Sequence, residues 1–234
     1  MLASLFNPAG GLRYHWRAVR HSRQWASFTV PLAQWLEAWQ PASDQLLLVG
    51  PSAGWCLPDD LFARFRRIDV LEPDPFGWLV LSRRLHGLGL RGHWHENDYL
   101  TADPVRVEQL APNFPDAAIL FCNVLGQVKF LHPELEDATR AAEWNDALIG
   151  SLADREWASF HDRLSGPIAP RIMDHAAVSA AGLTDQQLAA TFYEGDGQLV
   201  SHGTEAFFPE LTRRYFGWQI APGQFHLIEA VRGD

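Results

Sequence analysis

The sequence predicts an α/β fold, a mostly parallel sheet covered by helices on both faces, and three observations carry that prediction. From residue 45 onward, short apolar runs alternate with segments of helical periodicity, the pattern of a sheet layered between helices. The runs are too short for helices and continuously apolar, as strands buried on both faces must be. The chain closes on two extended runs joined by Ala-Pro-Gly-Gln, read as a β-hairpin that adds an antiparallel strand at or near the sheet edge.

The elements follow in order. Residues 1–44 read as a helical extension, in which Trp25, Phe28, Leu32, Trp35, Leu36 and Trp39 recur at helical spacing. Pro31 is expected to bend or divide that helix. "QLLLVG" (45–50) is the first strand, followed by a helix with Asp59 and Asp60 in its first turn, where the dipole favours acids. "RIDVLEPDP" (67–75) gives a second strand ending at Glu72, and Asp74-Pro75 supplies the cap and first position of the next helix. That helix is expected to stop near Gly87. "LRGHWHENDYL" (90–100) is a third strand running into a polar turn, with Asp103-Pro104 opening another helix. "AAILFCNVLGQ" (117–127) is a fourth strand ending at Asn123, and "EWASFHDRLSG" (156–166) a fifth. Thr184 and Gln187 form a capping-box signature.

Composition narrows the function. At 234 residues and 47% apolar content, the chain can bury one substantial core. A net charge of −9, with Lys129 the sole lysine, argues against a nucleic-acid partner. Arg13, Arg17 and Arg20 would share one helix face, either solvated or turned toward a substrate. Cys56 and Cys122 fit neither a disulfide framework nor a zinc-ligand spacing, so reduced thiols and a cytoplasmic location are expected. The N-terminus makes a poor signal peptide, and no apolar run reaches the ~18 residues that would span a membrane. His93 and His95 alternate on one strand face, but the adjoining Trp94 and polar turn suggest an ordinary edge pattern, and no metal is expected.

Four strand ends carry the candidate site. Gly50 and Gly54 flank Pro51 and Ser52 after the first strand, a turn that either brings backbone N–H groups to a ligand or merely joins strand to helix. Glu72, followed by Pro73, lies 22 residues past Gly50, near the ~20-residue offset of a ribose-binding acid; a carboxylate that simply ends a strand is the competing reading. Asn97-Asp98-Tyr99 follows the third strand, where an Asx-turn is the alternative. Asn123 and Val124 end the fourth beside the expected crevice.

In this order and with these motifs, residues 45–231 resemble the class I S-adenosylmethionine-dependent methyltransferases. The resemblance implies a Rossmann-like, seven-stranded, mostly parallel sheet with a C-terminal hairpin, residues 45–234 forming the methyltransferase-like domain. It implies S-adenosylmethionine as cofactor, touching Gly50, Pro51, Ser52, Gly54, Glu72, Pro73, Asp98, Tyr99, Asn123 and Val124. Ser52 stands where the family has its middle glycine, and Leu48 where it often has an acid. "NVLGQ" lacks the family's base-methylating motif, so the implied acceptor is a small molecule or a protein. Where the acceptor must lose a proton, His161 and Asp162 are the candidate catalytic groups. A non-catalytic binding or partner module with this fold is the alternative, and a nucleotide-dependent oxidoreductase a more distant one.

Overall fold

The computed structural model describes residues 11–96, 98–171, 174–177, 182–195, 198–208 and 211–233. Nine strands form one sheet: β1 (Gln45–Val49), β2 (Arg67–Leu71), β3 (Gly92–His95), β4 (Ala117–Cys122), β5 (Trp157–Gly166), β6 (Asp174–Ala177), β7 (Val200–Ser201), β8 (Arg213–Ala221) and β9 (Gln224–Gly233). Their spatial order is β3-β2-β1-β4-β5-β9-β8-β6, with β7 pairing to β5 off that path. Neighbours from β3 through β5 run parallel. The pairs of β5 with β9 and β7, of β9 with β8, and of β8 with β6 are antiparallel. The fold is Rossmann-like, and the count of seven strands is corrected to nine. The two unforeseen strands, β6 and β7, span four and two residues, too short to carry a periodic signal.

Alternating side chains divide the core into two layers. Leu46, Leu48, Ile68, Val70, Ala118 and Leu120 enter one layer; Leu47, Val49, Leu71, Ile119 and Phe121 enter the other. The first layer is covered by α1 (Gly11–Arg20), α2 (Ser22–Glu37), α3 (Asp59–Ala63) and α4 (Pro75–Gly87). The second lies under α5 (Pro104–Glu108), α6 (Leu110–Asn113), α7 (Val128–Leu131) and α8 (Ala138–Leu152). A last helix, α9 (Asp185–Phe192), covers a smaller cluster beside β5, β8 and β9.

The amino-terminal helices are integral to this core. Trp25 and Phe28 of α2 meet Trp218 of β8 with ring centroids 4.8 and 4.9 Å away, and Trp25 donates to the Ile220 carbonyl at 3.1 Å. Burying side chains of this size is worth about 1.5–3 kcal/mol each. That anchoring explains why Pro31 does not divide α2: fully buried Phe28 and Leu32 hold the helix on either side of it.

The cap signals are realised. Asp74 accepts from the Phe76 amide, Asp103 from the Val105 amide, and Thr184 and Gln187 complete a capping box. α4 stops at Gly87 as expected, but the left-handed glycine past its end is Gly89 (φ +76°) and not Gly87. The strand order reverses between β1 and β4, and at that switch point the carboxyl ends of β1, β2 and β4 open a crevice.

Candidate functional site

The crevice holds a cavity of about 170 Å³. Gly50, Pro51 and Ser52 after β1, Glu72 and Pro73 after β2, and Asn123 and Val124 after β4 all line it. Gly11 and Tyr14 of α1 close its outer side. A cavity of this size holds about one benzene-sized ring, so a larger ligand extends past it or displaces part of its wall. Two side chains pin that helix. His15 accepts from the Trp55 indole at 2.9 Å on Nδ1, which leaves the proton on Nε2 to bond Asp74 at 3.0 Å.

Gly50 turns sharply with φ +65°, and a Cβ there would meet the Val124 Cβ at 2.7 Å. Its conformation therefore lets β1 and β4 end side by side, while Gly50 N–H is spent on the Leu71 carbonyl. Ser52 (φ 52°) and Asn123 (φ 56°) both adopt the left-handed region without being glycine, and both line the cavity. Such backbone strain gathers at ligand sites.

Glu72 supplies the cavity's carboxylate. One oxygen accepts from the Ser52 amide at 2.5 Å and the other from the Asp74 amide at 2.8 Å. Burial pushes its carboxyl up to about 7, against the pull of those two N–H groups. Each oxygen keeps a lone pair for a hydroxyl donor. The Asn123 carbonyl oxygen Oδ1 is buried and has no partner among the described residues. A carboxylate able to accept two hydroxyls and an orphaned amide oxygen beside it fit the polar part of an adenosyl ligand. Burial pushes the Cys56 thiol up to about 12 and the Cys122 thiol well above its usual value, which disfavours the nucleophilic thiolate at both cysteines of this wall.

Three expected residues lie elsewhere. Gly54 backs onto Leu81 and Arg84 of α4. Asp98 makes the Asx-type contact, accepting from the Leu100 amide at 3.0 Å. Tyr99 is buried against Phe114 in the second layer. Asn97 falls outside the described residues.

His161 and Asp162 separate, because consecutive strand residues face opposite sides. His161 turns into a buried cluster, its Nδ1 2.9 Å from Ser159 Oγ and its Nε2 3.5 Å from Glu229. Arg163 also faces Glu229, bonding it at 2.6 Å, and the Tyr215 hydroxyl donates to the same carboxylate at 2.8 Å. His161 reaches neither the 170 Å³ cavity nor its neighbour.

Asp162 turns the other way, toward that neighbour, a cavity of about 770 Å³ sharing Tyr14, Asn123 and Gln127 with the first. The carboxylate accepts from Asn123 at 3.2 Å, Gln127 at 2.8 Å and His226 Nδ1 at 2.7 Å, and His202 Nδ1 lies 3.9 Å away. Burial would raise this carboxyl; His226 and His202 beside it, with the Asn123 amide, bring it down to about 2. His202, His226, Gln127 and Tyr14 were not anticipated from the sequence. Arg17, one of the three arginines on α1, lines the larger cavity as well.

No protein-family model matches the chain, and no curated protein matches it in sequence. Among solved structures it is similar to the N-methyltransferase NodS from Bradyrhizobium japonicum WM9 in complex with S-adenosyl-l-homocysteine, at 17% identity and a TM-score of 0.40, over 99% of this chain and 95% of that one. It is also similar to magnesium protoporphyrin IX methyltransferase (ChlM) from Synechocystis PCC 6803 with bound SAM: 13% identity, TM-score 0.44, 98% and 88% covered. A third is CalS10, an amino pentose methyltransferase from Micromonospora echinaspora: 16% identity, TM-score 0.40, 93% and 96% covered.

Proposed function

We propose that the chain is an S-adenosylmethionine-dependent methyltransferase acting on a small-molecule or protein acceptor. The observation that carries this reading is the switch-point cavity, where Gly50–Ser52, Glu72 and Asn123 meet from three strand ends. Glu72 would accept the ribose hydroxyls and Asn123 Oδ1 an N–H of the ligand. Residues 1–44 serve as a helical extension whose Gly11 and Tyr14 shield the cavity from water. The neighbouring larger cavity, which shares Tyr14, Asn123 and Gln127 with the first, would hold the acceptor.

When bound, the cofactor supplies a methyl group already activated on a sulfonium. What the chain must add is alignment of the acceptor and exclusion of water. Tyr14, Asn123 and Gln127 stand between the two cavities and would fix that line of approach.

Calorimetric titration with S-adenosylmethionine, S-adenosylhomocysteine and NAD tests the reading. Both adenosyl sulfur compounds should bind and NAD should not. Failure of both to bind at millimolar concentration, or binding of NAD alone, overturns it.

A further inference from the structure

We propose that Asp162, His202 and His226 form a site for one divalent transition cation, of the zinc class, on the wall of the larger cavity. The three residues come from β5, from the loop after β7 and from β9. One ligand atom from each lies within 4.8 Å of the other two. Asp162 is fully buried, and among the described residues its ion-pair partners are these two imidazoles and no arginine or lysine. A buried carboxylate facing two imidazoles is a hard-and-borderline donor set suited to zinc and its first-row neighbours.

The distances call for side-chain adjustments of about an ångström. Asp162 Oδ1 is 2.7 Å from His226 Nδ1, and Oδ2 is 3.9 Å from His202 Nδ1. Zinc bonds of about 2.0–2.1 Å put tetrahedral ligand atoms about 3.4 Å apart. With Oδ1 as the ligating oxygen, the first pair must therefore part by about 0.7 Å, and the ligand atoms farthest apart, within 4.8 Å of one another, must draw together by up to about 1.4 Å.

The protons also balance. His202 Nδ1 lies 2.8 Å from the Gly126 carbonyl, which can only accept, so Nδ1 carries the proton and Nε2 accepts from Ser165 Oγ at 2.9 Å. His226 Nδ1 likewise donates to Asp162. Metal binding moves each proton to Nε2 and leaves Nδ1 its lone pair, with no net release from two neutral rings, while the His202 ring turns away from the Gly126 carbonyl, which gives up that donor. His202 Nε2–H then donates to Ser165 Oγ, the kind of outer partner that orients a ligating histidine. Asn123 and Gln127 already hold the carboxylate by donating to its Oδ2, which leaves Oδ1 as the ligating oxygen. Gly126 makes the cluster possible, because a Cβ there would meet Asp162 Cβ at 2.8 Å.

Three protein ligands leave a zinc-class cation one position open, and here that position faces the larger cavity. An oxygen or nitrogen of the acceptor could occupy it; that role rests on the methyltransferase reading, whereas the binding of the metal does not.

The test is calorimetric titration of chelator-treated protein with Zn²⁺, and with Co²⁺ while its visible absorption is followed. One equivalent should bind. His226→Ala and His202→Gln should each weaken binding at least tenfold, and exposed His93→Ala should leave it unchanged. X-ray absorption at the zinc edge of the unmutated protein should show nitrogen and oxygen neighbours, which settles the ligands even if a variant fails to fold. No stoichiometric binding, binding indifferent to His202 and His226, or a sulfur neighbour from Cys56 or Cys122 each overturns the proposal. Titration with S-adenosylhomocysteine in the same preparation reads the methyltransferase proposal separately.

Discussion

Glu72 is the residue on which the ligand reading turns. Its carboxylate already organises the turn after β1 and the start of α4 through the Ser52 and Asp74 amides. Any ligand hydroxyl it accepts is a charge-assisted addition to that role. Glu72→Gln keeps the shape but removes the charge and one acceptor oxygen. In a folded variant, S-adenosylhomocysteine affinity should fall by about 1.5–3 kcal/mol, the scale of a hydrogen bond to a charged group, or roughly tenfold to over a hundredfold. Circular dichroism establishes folding, and calorimetry reads the affinity. Unchanged affinity removes Glu72 from the site.

At the scale of elements, we propose that α1 controls access. Its Gly11 and Tyr14 line the smaller cavity, and buried His15 ties it to both Trp55 and Asp74. His15→Ala removes both ties. Each hydrogen bond is worth about 1 kcal/mol, so S-adenosylhomocysteine should dissociate about tenfold faster or more, with Trp55 fluorescence as the stopped-flow signal. An unchanged rate means that α1 does not gate the site. The strand ends bearing Gly50, Glu72 and Asn123 were legible because a buried parallel strand is a short apolar run and its polar terminus stands out. The Asp162 cluster was not. Asp162 and Ser165 are three residues apart, yet both line the larger cavity, because a bulge between Asp162 and Leu164 resets the alternation. His226 reaches them only through the register of β9 on β5, where it pairs with Ser165, and His202 arrives from a loop beside a two-residue strand. Tertiary pairing decides all of this, and local pattern does not encode it.

For the molecule as a whole, three buried carboxyls, Glu229 and Asp162 on the acid side and Glu72 on the other, should set the pH at which the fold is most stable. Glu229 lies between β5 and β8 with no exposure, and although burial would raise it, His161, Arg163 and Arg213 bring it down to about 2. A carboxyl lowered on folding contributes stability above its unfolded value near 4.5 and loses it as pH falls toward 2. Glu72 has the opposite sign. Raised to about 7, it binds its proton more tightly in the folded chain, so stability falls as pH rises from about 4.5 to 7 and then levels. Each contribution is on the order of a few kcal/mol, a sizeable part of the 5–15 kcal/mol typical of a domain. Urea unfolding across pH 3–8 should therefore show a maximum near pH 4.5–5, acidic of neutrality. Glu72→Gln should flatten the descent between pH 4.5 and 7 while leaving the acid limb intact. Glu229→Gln should weaken the acid limb, to which Asp162, also lowered to about 2, contributes the rest, and should lower stability at neutral pH by removing the buried carboxylate that Arg163 and Arg213 share, although Arg163 keeps Asp185. A wild-type profile that rises from pH 5 to 7 would show that Glu72 ionises without penalty, and that the amides of Ser52 and Asp74 outweigh its burial.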